Sequence, residues 1–329
     1  KGEIVKVLVT GGAGMLGRSL VPALVGADHD VTVTDIDLST PTPWGPSGPV
    51  ITELDVRERS SIADAFADVR PDLVVHLAAG TSLEFADANE DATYLTNTIA
   101  TKYVALAARK HDAAMVYIST AGVFDGTKPS EVYNEYDQPN PLNVYGRTKY
   151  LGELMVKEFL ERHYIIRAGW MVGGGRSKDH KFVAQILQQI RDGKTTLYAV
   201  GDKLGTPTYT PDFARTFLGL IDSELYGLYH MACGGRGSRF DVAARILDVL
   251  GMSDQIELVE VTSDHFAEEF PSVRPYSEIM RNMNLELQGM NHMRPWEVAI
   301  EEYLHNEFSD LIVKDRSAPT DPSPSLMGA

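Results

Sequence analysis

Short apolar runs of strand length alternate with stretches of helical period through the first half of the chain. That alternation is the pattern of a parallel sheet covered by helices. The candidate strands are residues 6–10, 30–34, 50–53, 73–77, 115–119 and 164–167. Between them, residues 16–25, 60–69, 95–110 and 144–162 read as helices, with Ser60 as an N-cap and Pro71 closing the second. The spacing predicts an α/β protein built on a doubly wound parallel sheet of Rossmann type. Right-handed crossovers gather the carboxyl ends of such strands on one side, where ligands bind.

Beyond residue 172 the alternation weakens, although 181–191 and 240–250 keep a helical period and 227–232 reads as a returning strand. The expected organisation is a Rossmann NAD(P)-binding domain over 1–172, with 207–245 returning to it. Residues 173–206 and 246–314 form a smaller C-terminal substrate-binding lobe. The Pro/Gly/Ser-rich loop 38–49 is expected on the surface, and the Pro- and Ser-rich end, 315–329, is expected to be a flexible tail.

Composition narrows the partners. Of 329 residues, 43% are hydrophobic and 23% charged, and the net charge is −16. An acidic chain with no dense Lys/Arg cluster is a poor match for nucleic acid. It can still bind an anionic cofactor through backbone N–H groups. One cysteine, Cys233, rules out an internal disulfide and reads as a small buried residue. The first residues run straight into a strand, with no signal-peptide pattern, and no apolar run reaches the roughly 18 residues of a membrane span. A cytoplasmic, membrane-free protein is expected.

The first strand is followed by Gly11-Gly12-Ala13-Gly14-Met15-Leu16-Gly17. In this strand-to-helix setting Gly11 permits a tight turn, Gly14 lets a pyrophosphate approach, and Gly17 lets the helix pack on the sheet. Asp35, at the end of the second strand, is placed to accept hydrogen bonds from adenosine ribose hydroxyls. A 2′-phosphate would be repelled there, and no Arg or Lys follows between Ile36 and Pro49. The cofactor expected is therefore NAD(H) in preference, with NADP(H) as the alternative.

Further on, Tyr145-Gly146-Arg147-Thr148-Lys149 sets a phenol and an ammonium at i and i+4, on one helix face. A cation near a phenol favours the phenolate, which predicts a lowered Tyr145 pKa and proton transfer near neutral pH.

These residues resemble the extended short-chain dehydrogenases/reductases, through the glycine turn, His76-Leu77-Ala78-Ala79-Gly80, Ser119-Thr120 and Tyr145-x-x-x-Lys149. Within them the chain is most similar to the dTDP-4-dehydrorhamnose reductase family. Val123-Phe124-Asp125-Gly126, Pro141 to Lys149 with Gly152-Glu153, Arg167-x-x-Trp170, Gly205-x-Pro207-Thr208 and Arg274-Pro275 carry that likeness. The resemblance implies that Tyr145 donates the proton to a sugar ketone, Lys149 holds the nicotinamide ribose, and Thr120 orients the carbonyl. It implies that Asp55 and Val56 sit beside the adenine and that Ala78, Ala79 and Gly80 line the cofactor. Asn97 matches a helix asparagine near the site. Thr81, Ala121, Gly122, Trp170 and Arg274 would face the substrate, a nucleotide sugar, and a homodimer is the family's common state.

One departure stands out. The family usually reads Ser-Thr-Asp-Tyr-Val-Phe where this chain reads Ser119-Thr120-Ala121-Gly122-Val123-Phe124. Loss of an acid and a phenol predicts a wider, less polar pocket at that point. The reading is NAD(P)H-dependent reduction of a nucleotide-activated keto sugar. A nucleotide-sugar 4-epimerase with tightly held NAD is the first alternative, and a catalytically silent binding member of the fold is the second. Other features take plain readings: Glu297, Glu301, Glu302 and Glu307 as a solvated helix face, Met280, Met283, Met290 and Met293 as packing, and the scattered histidines as unrelated to any metal. Lys181, Arg236 and Arg274 are candidates for a substrate diphosphate, Arg274 first.

Overall fold

The computed structural model describes residues 4–39, 44, 48–128 and 130–313. The expected tail at 315–329, and part of the 38–49 loop, lie outside the described residues.

A seven-stranded, wholly parallel sheet forms the centre of the molecule. Its strands are β1 (Lys6–Thr10), β2 (Asp30–Asp35), β3 (Ile51–Glu53), β4 (Leu73–His76), β5 (Ala114–Thr120), β6 (His163–Ala168) and β7 (Gly227–Met231). The spatial order is β7-β6-β5-β4-β1-β2-β3, with the reversal between β1 and β4. β1, β4 and β5 are apolar and almost wholly buried, as strands covered on both faces must be. The α/β, doubly wound fold expected from the alternation is the one observed.

Helix ends depart from the expectation where side chains decide them. The helix expected from Ser60 begins at Arg59, with Glu58 as an extended N-cap that makes no side-chain capping bond, so Ser60 lies inside the helix. It ends at Arg70, whose φ of 49° is left-handed, immediately before Pro71. The helix expected over 95–110 is a compound one: α over Glu90–Tyr94, π over Leu95–Ile99 and α over Ala100–Lys110. The helix expected to reach residue 162 stops at Phe159, because Leu160 is already extended and the chain turns into β6.

The returning chain contributes β7 and the helix Thr210–Asp222, which packs on the helix Gly17–Gly26. The next helix, Arg239–Leu250, instead packs on the helices Phe182–Arg191 and Trp296–Glu307 and on the strand pair Thr196–Val200 and Glu257–Val261. The part of 207–245 beyond Met231 therefore leaves the large sheet. A single apolar cluster runs from Val7, Val9 and Val33 through Phe213 and Phe217 to Val183, Leu197 and Ile246. Burial of that continuous cluster fixes the C-terminal elements against the strand ends.

Candidate active site

The carboxyl ends of the strands and the C-terminal elements enclose one continuous cavity of about 1580 Å³. The glycine turn forms one end of it. Gly11 has a φ of 69°, and a Cβ there would lie 2.5 Å from the Ala78 backbone nitrogen. At Gly17 a Cβ would stand 2.0 Å from the Gly12 carbonyl oxygen, so the helix packs on its own turn. A Cβ on Gly14 would meet only the Gly11 oxygen, at 3.3 Å; the missing side chain leaves cavity space instead of relieving a clash. The backbone N–H groups of Met15 and Leu16 find no acceptor among the described residues. Open N–H groups at a helix start with room above a glycine fit a pyrophosphate.

Asp35 closes that end. One carboxylate oxygen accepts the Ala13 N–H at 2.9 Å and the other accepts the Asp37 N–H at 3.0 Å. It thus ties the glycine turn to β2 while still lining the cavity. Asp55, beside it, pairs with Arg57, and that hydrogen bond holds its carboxyl below the usual carboxylate range. Val56, Ala78, Ala79, Gly80 and Thr81 also line the cavity.

At the other end of the cavity, Thr120, Tyr145 and Lys149 line the same space. Asn143 caps the helix that carries Tyr145 and Lys149, Val144–Phe159, by accepting the Gly146 N–H at 2.8 Å. The Thr120 hydroxyl oxygen accepts the Gly122 N–H at 3.1 Å, which leaves its proton to point into the site. The expected lowering of the Tyr145 pKa is not what the surroundings produce. Burial raises it to about 12, Thr120 works against that rise, and the charge of Glu278 adds to it. Desolvation of the phenolate outweighs any help from the lysine, because Lys149 is itself buried and its pKa is pulled down to about 7, with Glu153 opposing the fall. The Lys149 nitrogen stands 4.2 Å from the Tyr117 ring centroid, a cation–π contact. Tyr145 is consequently protonated at neutral pH, not a phenolate.

Two expected site residues stand behind the wall. Asn97, in the π segment, accepts the Gly80 N–H at 2.8 Å and donates to the Gly80 oxygen and the Thr148 hydroxyl. Its amide is spent on protein, so it positions the Gly80 loop against the Tyr145 helix and does not line the cavity. Ala121 is likewise buried, at 1% exposure, while Gly122 lines the cavity. His76 bridges Thr10 and Thr101, and burial drops its pKa to about 3, making it a neutral strut.

The substrate end corrects the prediction of a less polar pocket. Glu278, which sequence reading missed, lines the cavity opposite Gly122, with its Oε1 3.5 Å from where a Gly122 Cβ would lie. Its Oε2 accepts the Trp170 indole N–H at 2.8 Å. A Cβ on Gly205 would lie 2.2 Å from Trp170 Cζ2, so the glycine lets the backbone pack on the indole, and the Arg239 guanidinium lies over its ring at 3.9 Å. Arg239, also missed, makes no hydrogen bond or ion pair among the described residues and faces the cavity. Burial lowers its pKa to about 10. Arg274, ranked first by sequence, is occupied instead: it pairs with Glu84 and donates to the Ser272 carbonyl at 2.9 Å. Lys181 lines the cavity near Thr81, whereas Arg236 pairs with Glu131 and does not line it.

The remaining candidates are structural. Cys233 is buried and its thiol is pushed up to about 12. Glu301, Glu302 and Glu307 pair with Arg245, Arg294 and Arg18. Met280 and Met293 are buried. Among the described residues no cluster of His, Cys, Asp or Glu is placed to hold a metal ion, and no helix is long and apolar enough to cross a membrane.

A Rossmann sheet with a glycine turn at one end of its cavity and a Thr–Tyr–Lys set at the other defines an NAD(P)-dependent oxidoreductase of the extended short-chain dehydrogenase/reductase class. Comparison with known proteins narrows the class. The chain belongs to the family described as RmlD substrate binding domain, the dTDP-4-dehydrorhamnose reductase family, which it matches over residues 5–308. It is 32% identical to the spore coat polysaccharide biosynthesis protein SpsK of Bacillus subtilis (strain 168), over 92% of this chain and 98% of that protein. It is also 32% identical to a dTDP-4-keto-6-deoxy-D-glucose reductase of Streptomyces niveus, over 90% and 95% of the two chains. The crystal structure of dTDP-4-dehydrorhamnose reductase from Bacillus anthracis str. Ames in complex with NADP superposes with a TM-score of 0.81 at 29% identity, covering 92% of this chain and all of that one.

Proposed function

We infer that this protein reduces the ketone of a nucleotide-activated 4-keto sugar, with Tyr145 as the proton donor. The observation that carries the reading is that Thr120, Tyr145 and Lys149 share one cavity with the dinucleotide turn. The names of relatives such as the Streptomyces niveus reductase supply the substrate class. A reduced nicotinamide, when bound, supplies the hydride to the carbonyl carbon. Thr120 and Tyr145 hold the carbonyl oxygen by hydrogen bonds, and the Tyr145 proton passes to that oxygen as the C=O bond becomes CH–OH. Lys149, in its charged form, stabilises the phenolate left behind and orients the cofactor ribose. Arg239 and Lys181 face the substrate end, where a diphosphate would find unpaired positive charge.

NAD(H) is the preferred cofactor in this reading, with NADP(H) accepted, since Asp35 would repel a 2′-phosphate. The relative crystallised with NADP makes the comparison of the two cofactors a required measurement. The test is turnover of dTDP-4-keto-6-deoxy-glucose with each reduced cofactor, followed by cofactor absorbance and product analysis. Net sugar reduction with stoichiometric cofactor oxidation supports the reading. Inversion at C4 of a 4-hydroxy nucleotide sugar without added cofactor replaces it with the 4-epimerase, and binding without turnover of either sugar replaces it with the silent binder.

A further inference from the structure

The family's acid and phenol after the threonine are absent here, yet a carboxyl group still stands at that place, brought by a segment more than a hundred residues later. Glu278 is fixed on both sides of its backbone: its N–H donates to the Leu204 oxygen at 2.8 Å, and the following residues Ile279–Met280 pair with Val132–Tyr133. Its side chain is fixed as well, since Trp170 donates to Oε2 and is clamped between Gly205 and Arg239. The other oxygen, Oε1, has no donor among the described residues and borders the cavity. The position a Gly122 Cβ would occupy is 3.4 Å from the Thr120 hydroxyl and 3.5 Å from Oε1. An acceptor oxygen without a partner therefore flanks the point addressed by the residues that hold the carbonyl.

We propose that Glu278 is a specificity-determining residue whose Oε1 accepts a hydrogen bond from a hydroxyl or amino group on the sugar carbon next to the ketone. The proposal rests on the keto-sugar reading above. A carboxyl so held discriminates well, because a substrate lacking that donor leaves a desolvated polar group unpaired. The space left by Gly122 admits the donor, while the Trp170 N–H and the Arg239 and Arg274 charges offset only part of the effect of burial on Glu278. Burial raises its pKa, with Tyr145 the other titrating group that feels its charge.

The experiment compares a nucleoside diphosphate hexose, and its counterpart lacking the hydroxyl at the carbon next to the reacting one, in binding to cofactor-loaded protein and, as their 4-keto forms, in turnover. In the parent protein the hydroxylated ligand binds about tenfold or more tighter. Glu278→Gln keeps the shape and an acceptor for Trp170 but presents an amide donor in place of Oε1, and it collapses that ratio towards one. Cofactor affinity and melting temperature stay at parent values, which separates substrate reading from a structural role. An unchanged ratio in both Glu278→Gln and Glu278→Ala overturns the proposal, as does a parent protein that binds neither ligand. A ratio that collapses in binding, in a protein that turns over neither keto sugar, keeps Glu278 and discards the reductase reading.

Discussion

Arg167 closes a two-pronged ion pair on Glu153, Nε to Oε1 at 2.8 Å and Nη2 to Oε2 at 2.7 Å, with both side chains at 1% exposure or less. Ser119 donates to the same carboxylate at 2.6 Å. The pair joins β6, which carries Arg167, to the helix that carries Tyr145 and Lys149, and Ser119 adds β5 next to Thr120. Glu153 and Arg167, both within the motifs that carry the family likeness, thus hold Tyr145 and Lys149 in register with Thr120 without lining the cavity themselves.

Cutting one side of this pair strands a buried charge. Glu153→Ala should lower unfolding stability by about 3–5 kcal/mol, read as a reduced denaturant midpoint. The double variant Glu153→Met with Arg167→Met should recover most of it, because apolar residues of similar volume replace the pair at little cost. A Glu153→Ala protein as stable as the parent would show that the pair does not anchor the helix.

Lys149 gives a signed pH dependence. Its pKa falls from an ordinary 10.5 to about 7 on folding, so between those values the unfolded chain binds more protons and stability rises with pH. Below about pH 7 the folded protein carries the full cost of a buried ammonium. Lys149→Met removes that cost, so the variant should be more stable than the parent by the largest margin near pH 6, shrinking towards pH 10 by about 1.4 kcal/mol per pH unit at most. Melting curves across that range check it; a margin that stays constant or grows with pH contradicts it.

These two predictions also mark what the sequence made legible. The sheet, the glycine turn and the Tyr145/Lys149 pair are local patterns, with strand alternation, a glycine spacing and an i, i+4 step each contained in a few residues. What the sequence hid depends on burial or on distant chain. Nothing in Tyr145-x-x-x-Lys149 says that both groups are desolvated, and so the direction of the Tyr145 shift came out reversed. Glu278 and Arg239 reach the cavity only through the packing of the C-terminal elements, and Arg274 looked free because its partner Glu84 is remote in sequence. The π segment at Leu95–Ile99 keeps an apolar helical period and shows itself only in the Asn97 clamp on Gly80.

Asp35 ties the glycine turn to β2 and, in the proposed reading, also selects the cofactor; the two roles separate on substitution. Asp35→Asn keeps an acceptor for the Ala13 N–H but removes the charge that faces the cavity. The ratio of kcat/KM with NADH to kcat/KM with NADPH should fall by about tenfold, since one like-charge repulsion is lost, while the melting temperature changes little. An unchanged ratio means that the charge does not select the cofactor.

Ketone reduction in the proposed reading depends on the Tyr145 proton, and kcat of Tyr145→Phe with a nucleotide 4-keto sugar and reduced cofactor tests that dependence directly. The variant should lose about 10²–10⁴-fold in kcat, with cofactor affinity and melting temperature at parent values. A variant that retains more than about a tenth of the parent kcat would place the proton elsewhere and contradict the account.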